Sequence, residues 1–354
     1  MDHDAVAKTS RRALSAALGA GFASLWAPAP ARAQGLPAPD DPLRVVAPEY
    51  APYFPLIREM AALPPISREN LAERRRPDTR FAAEPAASPS VVERIVPGPA
   101  GAPDVRVFVV NGGGTGKPAI LHTHGGGFVT GSARSGLRTL QDIARSLGCV
   151  IVTVDYRLAP ETRFPGALED NYAALRWVQR NAAELGVDPR RLAVMGESAG
   201  GGHAAMLAIA ARQRGEVPLV FQALTYPMLD DRTGSTQPTA PHIGRILWRA
   251  ADNRFGWTSL LGVPAGSARV PPGSVPARVR DLGGLPPAFI AVGAIDLFVD
   301  EDIAYARRLI AAGVPTELHV YPGAFHGFNV APTPMGRRYN AALLAALGNA
   351  FATA

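Results

Sequence analysis

Gly196-Glu-Ser-Ala-Gly200 is the stretch of this 354-residue chain whose residue types and spacing point most directly to chemistry. The apolar residues 192–195 feed it, and an alanine-rich helical pattern leaves it. It therefore reads as a strand, a tight turn and a helix. In a Gly-x-Ser-x-Gly elbow the small flanking residues let the central serine hold a strained conformation at the tip of the turn. That serine is Ser198. A serine hydroxyl is a weak nucleophile near neutral pH. It needs a base, an acid to orient the base, and donors for the oxyanion that its attack creates. The chain offers candidates for all three. His124-Gly-Gly-Gly-Phe128 ends an earlier apolar run, and consecutive glycines let backbone N–H groups approach an oxyanion without side-chain collision. Asp296 follows the apolar run 288–292, and His326 lies in the loop after the run 317–321. Serine, acid and histidine in that order suit an elbow of this type. Asp296 could instead cap the next helix, but Asp300 suits that task better because it opens the helical pattern.

These groups need a scaffold that brings distant loops to one edge. Strands are expected at 105–110, 118–124, 150–154, 192–195, 220–224, 288–292 and 317–321. Helical patterns lie at 137–147, 167–185, 199–214, 303–312 and 338–351. Nearly continuous apolar strands alternating with helices imply an α/β fold, with a mostly parallel sheet covered on both faces. Before the first strand, residues 50–60 and 67–76 show amphipathic helical patterns, the second with Ser67 as its cap. Residues 34–50, rich in Pro and Ala, read as a linker. Between about 230 and 280 the rhythm breaks, with Pro, Gly and the cluster Trp248, Phe255 and Trp257. That excursion is read either as a lid or as a segment packed on the body of the domain.

The formal charge is +6, yet all basic residues except Lys8 and Lys117 are arginine. They are scattered apart from Arg74-Arg75-Arg76 and Arg337-Arg338, so no concentrated phosphate-tracking surface is expected and nucleic acid is excluded as a partner. The other histidines lack the helical spacing of a metal site; neither a metal nor a cofactor is expected. His122 and His319 lie in strands and His203 on the elbow helix, where packing is their ordinary role. Cys149 is the only cysteine, so no internal disulfide can form, and its apolar strand suggests a buried thiol.

At the N-terminus, Thr9-Ser-Arg-Arg-Ala-Leu14 precedes an uncharged run that Ala31-Arg-Ala33 closes. This reads as a twin-arginine export signal over residues 1–33, cleaved near Ala33. The run is short of the ~20 apolar residues that span a bilayer, so no stable membrane anchor is expected. A periplasmic or secreted protein follows, with the export machinery as partner and homo-oligomerisation left open. The domain expectation is 1–33 signal, 34–80 linker and N-terminal cap helices, and 81–354 catalytic domain with a cap insertion at about 230–280.

The chain resembles the hormone-sensitive-lipase family of α/β-hydrolases, in its bacterial carboxylesterase branch. The likeness is carried by His124-Gly-Gly-Gly-Phe128, Asp155-Tyr-Arg-Leu-Ala-Pro-Glu161, Phe164-Pro165, Gly196-Glu-Ser-Ala-Gly-Gly201, Asp281-Leu-Gly-Gly-Leu-Pro-Pro287 and His326-Gly-Phe328. The resemblance implies an eight-stranded core, a helical cap, and cofactor-free hydrolysis of a small-molecule carboxylic ester by Ser198, Asp296 and His326. It also implies that Gly126, Gly127 and Ala199 donate to the oxyanion. Three positions depart from the family pattern: Glu197 stands for the usual Asp, Gly202 for a common Asn, and Asp296-Leu-Phe298 for Asp-Pro-Leu. Hydrolysis of short- to medium-chain acyl esters through an acyl-enzyme is the expected activity. The alternatives are an amidase or lactonase on the same triad, or a ligand-binding member of the fold without turnover.

Overall fold

A computed structural model describes residues 41–76 and 84–354. The export signal expected over residues 1–33 lies outside the described residues.

Among the described residues, eight strands form one sheet in the order β1-β2-β4-β3-β5-β6-β7-β8. They are β1 Val91–Val96, β2 Val105–Val110, β3 Lys117–Thr123, β4 Val150–Asp155, β5 Val187–Glu197, β6 Phe221–Thr225, β7 Ala288–Gly293 and β8 Thr316–Tyr321. β1 and β2 pair antiparallel, as do β2 and β4; every later pairing is parallel. Side chains alternate across a strand, and both faces here are apolar because both are covered. Leu121, Val152, Val194 and Ile290 join one core cluster, while their neighbours Ile120, Ile151, Met195 and Phe289 join the other.

Helices α3 Gly166–Arg180, α4 Ala199–Arg214 and α6 Val299–Ala311 cover the first face; α2 Leu137–Leu147 and α7 Pro334–Ala352 cover the second. α2 buries Leu137, Leu140, Ile143 and Ala144 at helical spacing and stops at Gly148 in the left-handed conformation. α7 is started by Thr333, whose hydroxyl accepts the Gly336 N–H at 3.1 Å, with Pro334 in the first turn. The exception is α4, buried on every side through Ala211. It is the helix that follows Ser198, enclosed between the sheet and its neighbours.

The structure corrects several sequence expectations. β1 was not expected: an edge strand with Glu93 and Arg94 exposed and Ile95 58% exposed shows no continuous apolar run. The helix expected to reach residue 185 ends at Arg180, and a separate turn, Ala182–Leu185, precedes Gly186 in the left-handed region. Residues from 41 onward are not a linker. Leu43, Val46 and Tyr50 are buried, the Ala47 N–H donates to the Gly323 carbonyl at 2.9 Å, and the Tyr50 hydroxyl donates to the Phe328 carbonyl at 2.9 Å. The 50–60 pattern is a 3-10 segment, Pro48–Tyr53, continuing as α1 Phe54–Ala61. The 67–76 pattern keeps only Leu71–Arg74 in helix. Ser67 does not cap it; the cap position is Asn70, whose Oδ1 accepts the Ser67 N–H at 2.9 Å. Nor does Asp300 cap α6, because the helix begins one residue before it and the cap position is Phe298.

The excursion between β6 and β7 carries α5 Ala250–Leu261. It is tied to the N-terminal segment: the Ile66 N–H donates to Asp252 Oδ1 at 2.8 Å, and the Arg249 guanidinium donates to the Ala61 and Leu63 carbonyls. The two pieces form one layer above the carboxyl edge of the sheet, so the excursion both packs on the body and roofs it.

Candidate active site

β3, β5, β6, β7 and β8 end level with one another at that edge, where Thr123 pairs with Gly196, Glu197 with Thr225, and Gly293 with Tyr321. Loops leaving the carboxyl ends of parallel strands converge on one crevice. Ser198 leaves β5 with φ 58° and ψ −124°, a conformation that costs energy for any residue but glycine and is held here by its surroundings. The Ser198 N–H donates to the Thr225 carbonyl, and the Met228 N–H donates to the Ser198 carbonyl, both at 2.9 Å. The turn also needs close backbone approach. A Cβ on Gly200 would lie 2.0 Å from the Thr123 carbonyl oxygen. The elbow lifts Ser198 clear of the strand, yet the roof leaves it only 7% exposed.

The three residues singled out by order in the chain meet in space. His326 Nε2 lies 2.9 Å from Ser198 Oγ, and His326 Nδ1 lies 2.9 Å from Asp296 Oδ2. Asp296 is 1% exposed, and its other oxygen accepts the Phe298 N–H at 3.0 Å. The carboxylate thus turns the chain into α6 and holds the imidazole with its proton on Nδ1, leaving Nε2 to accept from the serine. Tyr226, Phe298 and Trp248 surround the imidazole with ring centroids at 4.6, 5.2 and 6.1 Å. Phe298, one of the departures from the family pattern, forms part of this aromatic wall. Glu197, another, sits 3.0 Å from His122 Nε2, whose Nδ1 is 2.8 Å from Thr153 Oγ1. His122 is thereby a packed strand residue.

The glycine loop faces Ser198. Gly126 has φ 126°, and a Cβ there would stand 2.1 Å from the Thr130 carbonyl oxygen. Among the described residues the N–H groups of Gly126, Gly127 and Ala199 have no hydrogen-bond acceptor. They are donors left over at the mouth of the elbow, as an oxyanion site requires.

Residues of the 155–161 motif hold this loop in place. Asp155 Oδ1 accepts the Ala133 N–H at 3.1 Å, the Tyr156 hydroxyl donates to the His124 carbonyl at 2.6 Å, and the Ala159 N–H donates to the Phe128 carbonyl at 3.0 Å. His124 stacks on Tyr156 at 4.2 Å, and His203 meets both Tyr156 and Phe128 edge-on. Both imidazoles are buried, which pushes the pKa of His124 down to about 4 and that of His203 down to about 3. His203 has no hydrogen-bond partner on either ring nitrogen. It is a packing residue of the loop's support. Cys149 is buried, and burial pushes its thiol up to about 12.

Sequence reasoning missed two residues at this site. Arg75, which read as part of a basic cluster, donates to the Val129 and Ala159 carbonyls at 2.8 and 2.9 Å and pairs with Glu161. It fastens the N-terminal segment to the glycine loop. Trp248 lies so close to Gly127 that a Cβ there would be 2.1 Å from its ring; only the tryptophan cluster in the sequence hinted at this. A groove of about 400 Å3 beside Val91 and Phe108 has none of these groups in its walls.

A model of the α/β-hydrolase fold matches residues 120–330, more than half of the chain. This chain belongs to that family. The motifs and the bacterial esterases it resembles place this α/β-hydrolase in the hormone-sensitive-lipase-like branch. It is 40% identical over 215 residues to the carboxylesterase NlhH of Mycobacterium tuberculosis, a match covering 60% of this chain and 66% of that protein. It is 36% identical over 213 residues to the ethyl acetate hydrolase of Pseudomonas putida, covering 59% and 65%. The match thus spans just under two thirds of each relative's length. Among solved structures, a bacterial heroin esterase superposes with a TM-score of 0.78 at 36% identity, covering 87% of this hydrolase and 99% of that chain.

Proposed function

We propose that this α/β-hydrolase is a serine carboxylesterase acting on short- to medium-chain acyl esters. The observation that carries the proposal is the relay from Ser198 Oγ through His326 to Asp296, at 2.9 Å for each link. Ser198 attacks the ester carbonyl while His326 Nε2 takes its proton and Asp296 steadies the resulting imidazolium. The oxyanion is received by the N–H groups of Gly126, Gly127 and Ala199. His326 then returns the proton to the departing alcohol oxygen, leaving an acyl-Ser198. A water molecule, activated by the same imidazole, releases the acid. The esterase names of its relatives and structural neighbours support the reading.

The roof supports the acyl range. Ser198 is covered by a compact layer fastened by side-chain hydrogen bonds, which suits a closed pocket of limited depth. Aryl esters from acetate to palmitate test this. kcat/KM should rise by about fourfold per buried methylene while room remains, then fall, with an optimum below about eight carbons. Ser198→Ala and His326→Ala should each lose several orders of magnitude, and the double variant little more. A maximum at palmitate with a jump on emulsification would make it a lipase instead. The twin-arginine reading of Arg11 and Arg12 extends the proposal to a periplasmic or secreted enzyme, and its support is the sequence pattern alone.

A further inference from the structure

Tyr226, the residue that follows β6, has φ 35°. That is left-handed backbone, which a bulky side chain avoids unless its surroundings impose it. Hydrogen bonds along the turn impose it here. The Thr225 carbonyl accepts the Ser198 N–H at 2.9 Å, the Tyr226 N–H donates to the Ala291 carbonyl of β7 at 2.6 Å, and the Met228 N–H donates to the Ser198 carbonyl at 2.9 Å. The turn is also pressed on the start of α4. A Cβ on Gly201 would lie 2.8 Å from Pro227 Cβ, and one on Gly202 would lie 2.3 Å from the Met228 carbonyl oxygen. Residues 225–228 thus join the elbow of Ser198 to the strand that leads to Asp296 by main-chain contacts that leave little play.

The Tyr226 side chain turns toward the histidine. Its ring centroid is 4.6 Å from that of His326, and its buried hydroxyl donates to Asn329 Oδ1 at 2.7 Å. Burial pushes the phenol pKa well above its usual value, and Tyr339, Glu197 and Asp296 push the same way, so the group stays a donor. Asn329 lies in the 3-10 turn Phe328–Val330, just beyond His326. The N-terminal segment holds this loop through the Ala47 N–H on the Gly323 carbonyl and the Tyr50 hydroxyl on the Phe328 carbonyl. Before His326, the Ile295 N–H donates to the Ala324 carbonyl at 3.1 Å, a tie to the loop of the acid. After His326, Tyr226 supplies a tie to the strand end that carries the elbow.

We propose that Tyr226 and Asn329 form a latch that sets His326 against Ser198, which makes Tyr226 a positioning residue of the reaction. The inference rests on the ester-hydrolysis reading. In acylation the imidazole handles one proton twice. Nε2 takes it from Ser198 Oγ as that oxygen bonds to the carbonyl carbon, and returns it to the alcohol oxygen as the C–O bond breaks. The two oxygens stand at different places, so Nε2 must reach both from one loop position, and a small displacement is costly. The hydrogen bond from Nδ1 to Asp296 orients the ring but leaves it free to pivot about that contact. The Tyr226 ring, fixed by its own N–H on Ala291 and its hydroxyl on Asn329, closes off the pivot.

The test is Tyr226→Phe, which keeps the ring and removes the hydroxyl, beside Asn329→Ala, which removes the acceptor. Asn329 is only half-buried, so its variant stands if the other misfolds. On ethyl acetate each should lower kcat about tenfold with KM changed by less than about twofold, and the double variant should fall little further. On 4-nitrophenyl acetate, whose leaving oxygen departs without a proton, each should cost about threefold or less in kcat/KM. Tyr339→Phe is the control, since its buried hydroxyl meets Thr225 Oγ1 at 2.7 Å and not the histidine loop. It should change kcat by less than about twofold. If the two variants keep full kcat, if both esters lose equally, or if Tyr339→Phe loses as much, the latch does not position His326 and the inference is overturned. If the unaltered, folded protein cleaves neither ester, it is the ester reading that fails, and the inference falls with it.

Discussion

The elbow with its glycine loop and the roof above it are built on different principles. In the elbow, contact is between backbones: a Cβ at Gly200 would meet the Thr123 carbonyl, and one at Gly126 the Thr130 carbonyl. Nothing there can give way, because a main-chain oxygen cannot move without shifting a strand or the loop itself. In the roof, contact is through side chains: Arg75 to two carbonyls, Arg249 to two more, Trp248 on Gly127. The part that develops charge in the reaction is therefore rigid by covalent geometry. The part that meets the substrate's variable groups is adjustable one side chain at a time. If the proposed ester hydrolysis holds, that difference lets the donors and nucleophile stay fixed while the enclosure is redrawn for another ester.

The largest test of this contrast is Gly126→Val. The added atoms collide with the Thr130 carbonyl, and a φ of 126° is closed to valine. Misplacing one oxyanion donor is worth roughly 3 kcal/mol, so kcat should fall about a hundredfold in steady-state kinetics. A rise in KM alone would mean that the loop binds substrate and the donors lie elsewhere.

Arg75→Ala addresses the seam between the two regions and should have a smaller effect. The Arg75–Glu161 pair is half exposed, with Glu161 62% accessible, and such pairs contribute ~1 kcal/mol or less. The hydrogen bonds from the guanidinium to the Val129 and Ala159 carbonyls carry more, about 1.5 kcal/mol each. kcat/KM should drop about tenfold, mostly through KM, whereas Glu161→Gln should cost less than threefold. Equal effects of the two substitutions would assign the fastening to the ion pair.

The last test touches stability rather than turnover. His203 is held neutral by burial, with a pKa of about 3 against ~6.5 in an unfolded chain. Between those values the unfolded state binds a proton that the folded state refuses. Stability therefore falls as pH drops from about 6.5 toward about 3, at up to ~1.4 kcal/mol per pH unit. His203→Leu removes this term and both unpartnered ring nitrogens. Its melting temperature should decline less steeply over that range, with kcat/KM altered less than in the Arg75 variant. An unchanged pH profile of melting would show that His203 does not set acid sensitivity.

Legibility in the sequence follows the same division. The central strands were readable because a strand covered on both faces must be apolar throughout. The elbow and glycine loop were readable because backbone crowding admits only glycine or another small residue at fixed spacing. β1 was not, since an open edge makes few demands on its side chains, and the fit of Leu43, Val46 and Tyr50 against the histidine loop carries no local signature in a stretch rich in proline and alanine. Asp296 was assigned by its place after an apolar strand, and Asp300 by its place at the opening of a helix pattern. Only the fold showed that Asp296 also turns the chain, with one oxygen accepting the Phe298 N–H just before α6 begins at Val299 and the other facing His326 Nδ1 at 2.9 Å. Local sequence determined where the candidates for nucleophile, acid, base and oxyanion donors stand along the chain, since each sits in a turn whose backbone limits its neighbours. Tertiary structure alone decided the 2.9 Å contacts of the triad, the role of Arg75, and the hydrogen bond from Tyr226 to Asn329, because these depend on segments far apart in the chain meeting through side chains that no local rule specifies.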